Sequence, residues 1–178
     1  MNDTVNRDPL AGRLWRIIYW GGAALLLALP ALAMQLTDEV NWGSEDFIFA
    51  GILFVAVGVA LEFTVRKSRD WSYRAAMLGF IGGTFLTFWV NGAVGIIGNE
   101  SLDINTTFNV MALAGVLAAF VVRAQAGKMM AIAGVQALVV LATGFAAEFT
   151  SQPDWGPVLV FAAGWLVVTL MFRAARQG

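Results

Sequence analysis

The sequence predicts an all-α fold: a polytopic transmembrane helical bundle, six helices arranged as three hairpins, with both termini cytoplasmic. Three observations predict it. The 178-residue chain is 59% hydrophobic and 13% charged, with a mean hydropathy of +0.73, too apolar to surround one core with a soluble surface. Its apolar residues form continuous runs near the roughly 20 residues that a helix needs to cross hydrocarbon, not the alternating segments of a barrel strand. The charges between the runs are sorted by sign, with all eleven Lys and Arg residues assignable to one side and most carboxylates to the other.

The first span covers 14–34. It follows Arg7, Arg13 and Arg16, opens among Trp15, Tyr19 and Trp20, and carries Pro30, which bends it near its outer end. The same basic start, apolar run and Ala31-Leu32-Ala33 also fit a cleavable secretory signal, which would leave five spans. The three bulky rings at the start of the run favour a retained span. The second span, 47–65, ends before Arg66, Lys67, Arg69 and Arg74, and Glu62 stands four residues before Arg66, the spacing of an interfacial ion pair. The third, 75–98, is rich in glycine: Gly79, Gly82, Gly83, Gly92, Gly95 and Gly98, with Thr84, Thr87 and Asn91 among them. Small residues let helix backbones approach closely, so this helix is expected near the bundle centre.

The fourth span, 107–122, and the sixth, 157–172, are short; Arg123 and Arg173 can snorkel from their ends to complete the crossing. The fifth, 129–147, carries Gln136, a second deep amide. Thr84, Thr87, Thr143 and Thr169 can bond their own helix carbonyls. Basic residues then mark the cytoplasmic side, including Arg123 and Lys128 after the fourth span and Arg173 and Arg176 after the sixth. The opposite loops hold Asp38, Glu39, Glu45 and Asp46, then Glu100 and Asp103, then Glu148 and Asp154, without a basic residue. Trp42 and Trp155 mark that outer boundary. The whole of 1–178 reads as one transmembrane domain. Segments 37–51 and 150–164 share five identities in fifteen aligned positions, a coincidence favoured by the Ala- and Gly-rich composition over a relic of duplication.

Absences narrow the function. The chain has no Cys and no His, which removes disulfides, thiol nucleophiles, imidazole bases, the usual zinc sites and the common haem ligands. No catalytic residue, cofactor or metal site is expected. The scattered basic residues lack an aromatic platform for nucleic acid. The densest polar cluster lies outside: Asp38, Glu39, Asn41, Trp42 and Asp46 in the first outer loop, with Asn99 and Glu100 after the third span and Asn91 about two turns below it. Acids around amides could collect a cation or an amine, although loop polarity, and helix-starting roles for Asp46, Asn105 and Thr106, explain most of them. A third-span helix loosened between Gly92 and Gly98, with Asn91 lining a polar cavity, is the alternative to tight packing.

TDEVNW at 37–42 and WVNGAVGIIGNE at 89–100 resemble a family of small multi-spanning bacterial inner-membrane proteins of unknown function. The resemblance implies a membrane location and transfers no mechanism, cofactor or catalytic residue. The leading expectation is a non-enzymatic accessory, assembly or structural subunit in the bacterial inner membrane. Its partners would be the lipid bilayer and protein subunits, or a homo-oligomer formed through the glycine-rich third span. The alternative is a small permease or ion pathway with an acidic outer vestibule.

Overall fold

The computed structural model describes residues 9–98, 101–150 and 155–177. Six α-helices follow in order: α1 (Pro9–Leu36), α2 (Ser44–Lys67), α3 (Trp71–Ala93), α4 (Thr106–Val121), α5 (Ala126–Ala147) and α6 (Trp155–Ala175), with a 3-10 turn at Asp103–Asn105 leading into α4. There is no strand among the described residues. All six helices are long and apolar enough to cross a membrane.

Most helices outrun the apolar segments that announce them, because helical hydrogen bonding continues into the polar flanks. The start of α3 shows how. Asp70 is extended, and its two carboxylate oxygens accept from the backbone amides of Ser72 (3.1 Å) and Tyr73 (2.9 Å), so the helix begins at Trp71 rather than 75. Its other end comes earlier than the apolar run suggests. Helix α3 stops at Ala93, and Gly95 and Gly98 take positive φ angles of 77° and 66°, which glycine reaches without steric cost.

The chain divides into two compact units, Met1–Ala60 and Leu61–Gly178. In the first, the Tyr19 hydroxyl donates to the Phe54 carbonyl at 2.5 Å, joining α1 to α2. Gly58 lets the pair approach, since a Cβ there would lie 2.8 Å from both the Tyr19 and Trp20 rings.

The second unit is a closed cycle in which α3 packs on α4, α4 on α5, α5 on α6, and α6 on α3. Trp165 of α6 is the large buried side chain at its centre. Its ring meets Phe80 edge to face at 5.5 Å and lies against Gly83, where a Cβ would come within 3.3 Å. Gly79 receives Val168 in the same way, at 3.0 Å. Those two third-span glycines are therefore occupied by α6 of the same chain, while Gly82 has nothing within 4 Å.

The α4–α5 connection holds Arg123 and Ala124 at φ of 53° and 48°, a conformation costing roughly 1–2 kcal/mol for a residue with a Cβ. Two outside donors hold it. The Tyr73 hydroxyl donates to the Ala124 carbonyl (2.8 Å) and Lys67 Nζ to the Arg123 carbonyl (2.6 Å). The Glu62–Arg66 ion pair forms as its spacing predicts, at 2.7 Å.

Candidate functional site

The described residues of the candidate acidic cluster divide between the two units. Asp38, Glu39, Asn41 and Asp46 are exposed in the first unit and Trp42 is half-buried. Their contacts are local. The Glu39 amide donates to Thr37 Oγ1 (3.2 Å), the Gly43 amide to Asp46 Oδ2 (2.8 Å), and Trp42 stacks edge to face on Phe47. Asp46 thus braces the start of α2, where a carboxylate also favours the helix dipole. No group of three acidic or other metal-ligating side chains converges among the described residues. Asn99 and Glu100 lie outside the described residues, and Asn91 belongs to the second unit.

Asn91 is 4% exposed and its Nδ2 donates to the Asn105 carbonyl at 2.9 Å. Asn105, 2% exposed, completes the arrangement. Its Oδ1 accepts from the amides of Ile96 (3.2 Å) and Ile97 (3.0 Å), and its Nδ2 donates to the Ile97 carbonyl (2.9 Å). Ile96 and Ile97 are 1% and 0% exposed. The Gly-Ile-Ile-Gly segment is therefore a hydrophobic plug pinned to the start of α4, while the buried Oδ1 of Asn91 has no hydrogen-bond partner. Asn105 stands at the N-cap position of α4 without a side-chain capping bond, because its amide is engaged by the plug.

The threonines follow their expected pattern with one exception. Thr87, Thr143 and Thr169 each donate to a carbonyl four residues earlier at 2.8 Å, whereas the buried Thr84 hydroxyl has no partner.

Gln136 differs from all of these. It is 2% exposed and neither its Nε2 nor its Oε1 has a hydrogen-bond partner. It is the eleventh of the 22 residues of α5, so a rise of about 1.5 Å per residue sets it ~15 Å from either helix end, near the middle of a hydrocarbon layer about 30 Å thick. The amide rests directly on Gly115 of α4, where any Cβ would collide with it. Both residues line a groove of about 470 Å³ between α4 and α5, otherwise walled by side chains such as Ala114, Ala118, Ala131 and Val135. Gln136 is its one amide. Gln136 is legible in the sequence as a deep amide but the groove is not, although Ala114 and Ala118 carry the small-residue spacing that marks a helix-packing face.

Comparisons with family models, curated proteins and solved structures gave no match.

Proposed function

We propose that this protein is a non-enzymatic structural module of the bacterial inner membrane, with both termini in the cytoplasm, and that it works by packing against a second copy of itself through the α4–α5 groove. The observation that carries this reading is the unpartnered Gln136 amide in the wall of that groove. An amide in hydrocarbon with neither polar atom satisfied is costly, at roughly 1–3 kcal/mol for each orphaned group. A primary amide offers one donor and one acceptor face, so two copies related by a two-fold axis can satisfy each other, Gln136 to Gln136. The small residues Ala114, Gly115 and Ala118 allow the close approach this needs. The exposed Leu113 and Leu117 of α4 supply a neighbouring ridge to fill the partner's groove. This pairing requires the Gln136 side chain to rotate, because its amide is buried against Gly115 in the single chain.

Other polar groups support a packing role over chemistry or transport. Asn91, on which a solute pathway would depend, is tied through its Nδ2 to the α3–α4 connection, with Oδ1 alone unpartnered, and the Asp46 carboxylate of the first unit serves its own loop. The charge partition supports cytoplasmic termini.

Native mass spectrometry in mild detergent tests the proposal. The wild type is expected as a dimer, and Gln136→Leu is expected to weaken association about 3- to 30-fold for each interhelical hydrogen bond lost. A wild type that stays monomeric at all protein concentrations contradicts the reading.

A further inference from the structure

We infer that the groove between the start of α5 and the end of α6 binds the phosphate headgroup of an anionic phospholipid. The groove has a volume of about 450 Å³ and is lined by Met130 of α5 and by Thr169, Leu170, Arg173, Arg176 and Gln177 on the α6 side. Its composition is graded along the helix axis. Thr169 and Leu170 lie deeper in the span, and two guanidinium groups one turn apart stand at its mouth. That order matches a lipid, with acyl chain toward the bilayer centre and headgroup at the interface.

Basic residues at the cytoplasmic ends of spans are ordinarily explained as orientation markers. Their neighbours at this end of the unit show what that looks like. Arg66 is paired with Glu62, Lys67 donates to the Arg123 carbonyl, and Arg74 donates to the carbonyls of Ser68 and Val65. Arg69, Arg123, Lys128, Arg173 and Arg176 make no ion pair or side-chain hydrogen bond among the described residues, and of these Arg173 and Arg176 are the two that line the groove. Both face one concavity. The first turn of α5 sits beside Arg176, whose Cδ lies 3.4 Å from where a Cβ of Gly127 would stand. Guanidinium is suited to bidentate bonding of phosphate oxygens, and basic pockets between transmembrane helices are a known mode of anionic headgroup recognition.

The test uses the full chain in mild detergent, titrated with phosphatidylglycerol and, separately, with phosphatidylcholine carrying the same acyl chains. Bound lipid is counted by native mass spectrometry and protection by the melting temperature. The expected preference for phosphatidylglycerol is about tenfold or more, consistent with two basic residues acting at the membrane surface. The double variant Arg173→Gln with Arg176→Gln is expected to lose that preference. The control double variant Arg66→Gln with Arg69→Gln removes the same charge from residues that do not line the groove and is expected to keep it. Glycerol 3-phosphate separates the sources: much weaker protection supports a lipid, and protection equal to phosphatidylglycerol overturns the lipid assignment in favour of a free phosphate. A wild type without preference, or a preference that survives in the Arg173 and Arg176 double variant, overturns the inference. If that double variant melts lower without lipid, Arg176→Gln alone, at an exposed position just after α6, is judged by the same criterion.

Discussion

Asn105 and Gln136 are two primary amides in the same four-helix unit, each 2% exposed, and they stand at opposite extremes of satisfaction. Asn105 uses Oδ1 twice and Nδ2 once on the backbone of Ile96 and Ile97. Gln136 uses neither polar atom. A buried amide that is fully bonded fixes its own surroundings, and in this chain Asn105 closes the plug that ends α3. A buried amide that is unbonded raises the free energy of the isolated chain and lowers it again when a partner arrives. The same side-chain chemistry therefore holds architecture together at Asn105 and, unsatisfied at Gln136, motivates the proposed association.

Removing the amides should expose that difference, and the largest effect is expected at Asn105. Asn105→Leu strands two backbone donors and one acceptor inside the plug, each worth roughly 1–3 kcal/mol, so unfolding in mixed detergent micelles should become easier by about 3 kcal/mol or more. Gly115→Val comes next. Its side chain must displace the Gln136 amide, costing about 1–3 kcal/mol, and combining it with Gln136→Ala should recover about 1 kcal/mol or more as a coupling energy in a double-mutant cycle. Gln136→Leu should be neutral to stabilising for the monomer, by up to about 1 kcal/mol, since it replaces an unsatisfied amide with a side chain of similar size. Glu62→Gln, remote from both amides, sets the floor. Its partner Arg66 is largely exposed, so loss of the pair should cost about 0.3–0.5 kcal/mol in the same assay.

The helix count was legible because hydropathy and charge sorting act over whole spans. The termini of those spans were less so. The early start of α3 follows from Asp70, whose capping geometry a hydropathy run ignores. Its early end follows from Gly95 and Gly98, whose positive φ angles turn an apolar stretch into a loop. The candidate site was legible only as a set of residue types. Asn91 and Gln136 both read as deep amides in need of partners, and the sequence does not show that Asn105, fourteen residues after Asn91, receives one of them. Nor does it show that Gly115 makes room for the other, because the pairing of α4 with α5 is set by packing across the bundle rather than along the chain. The glycines of the third span illustrate the same limit. Their spacing signalled close packing, and α6 of the same chain is what Gly79 and Gly83 receive.

The most direct test is to follow the side-chain amide resonances of Asn105 and Gln136 by NMR while the protein is diluted in detergent from a high to a low ratio of protein to micelle. The Asn105 signal is expected to stay fixed across the series, while the Gln136 signal moves from a hydrogen-bonded position toward an unbonded one as the proposed dimers separate. A Gln136 signal that is unchanged by dilution, or that moves together with that of Asn105, would contradict the proposed association.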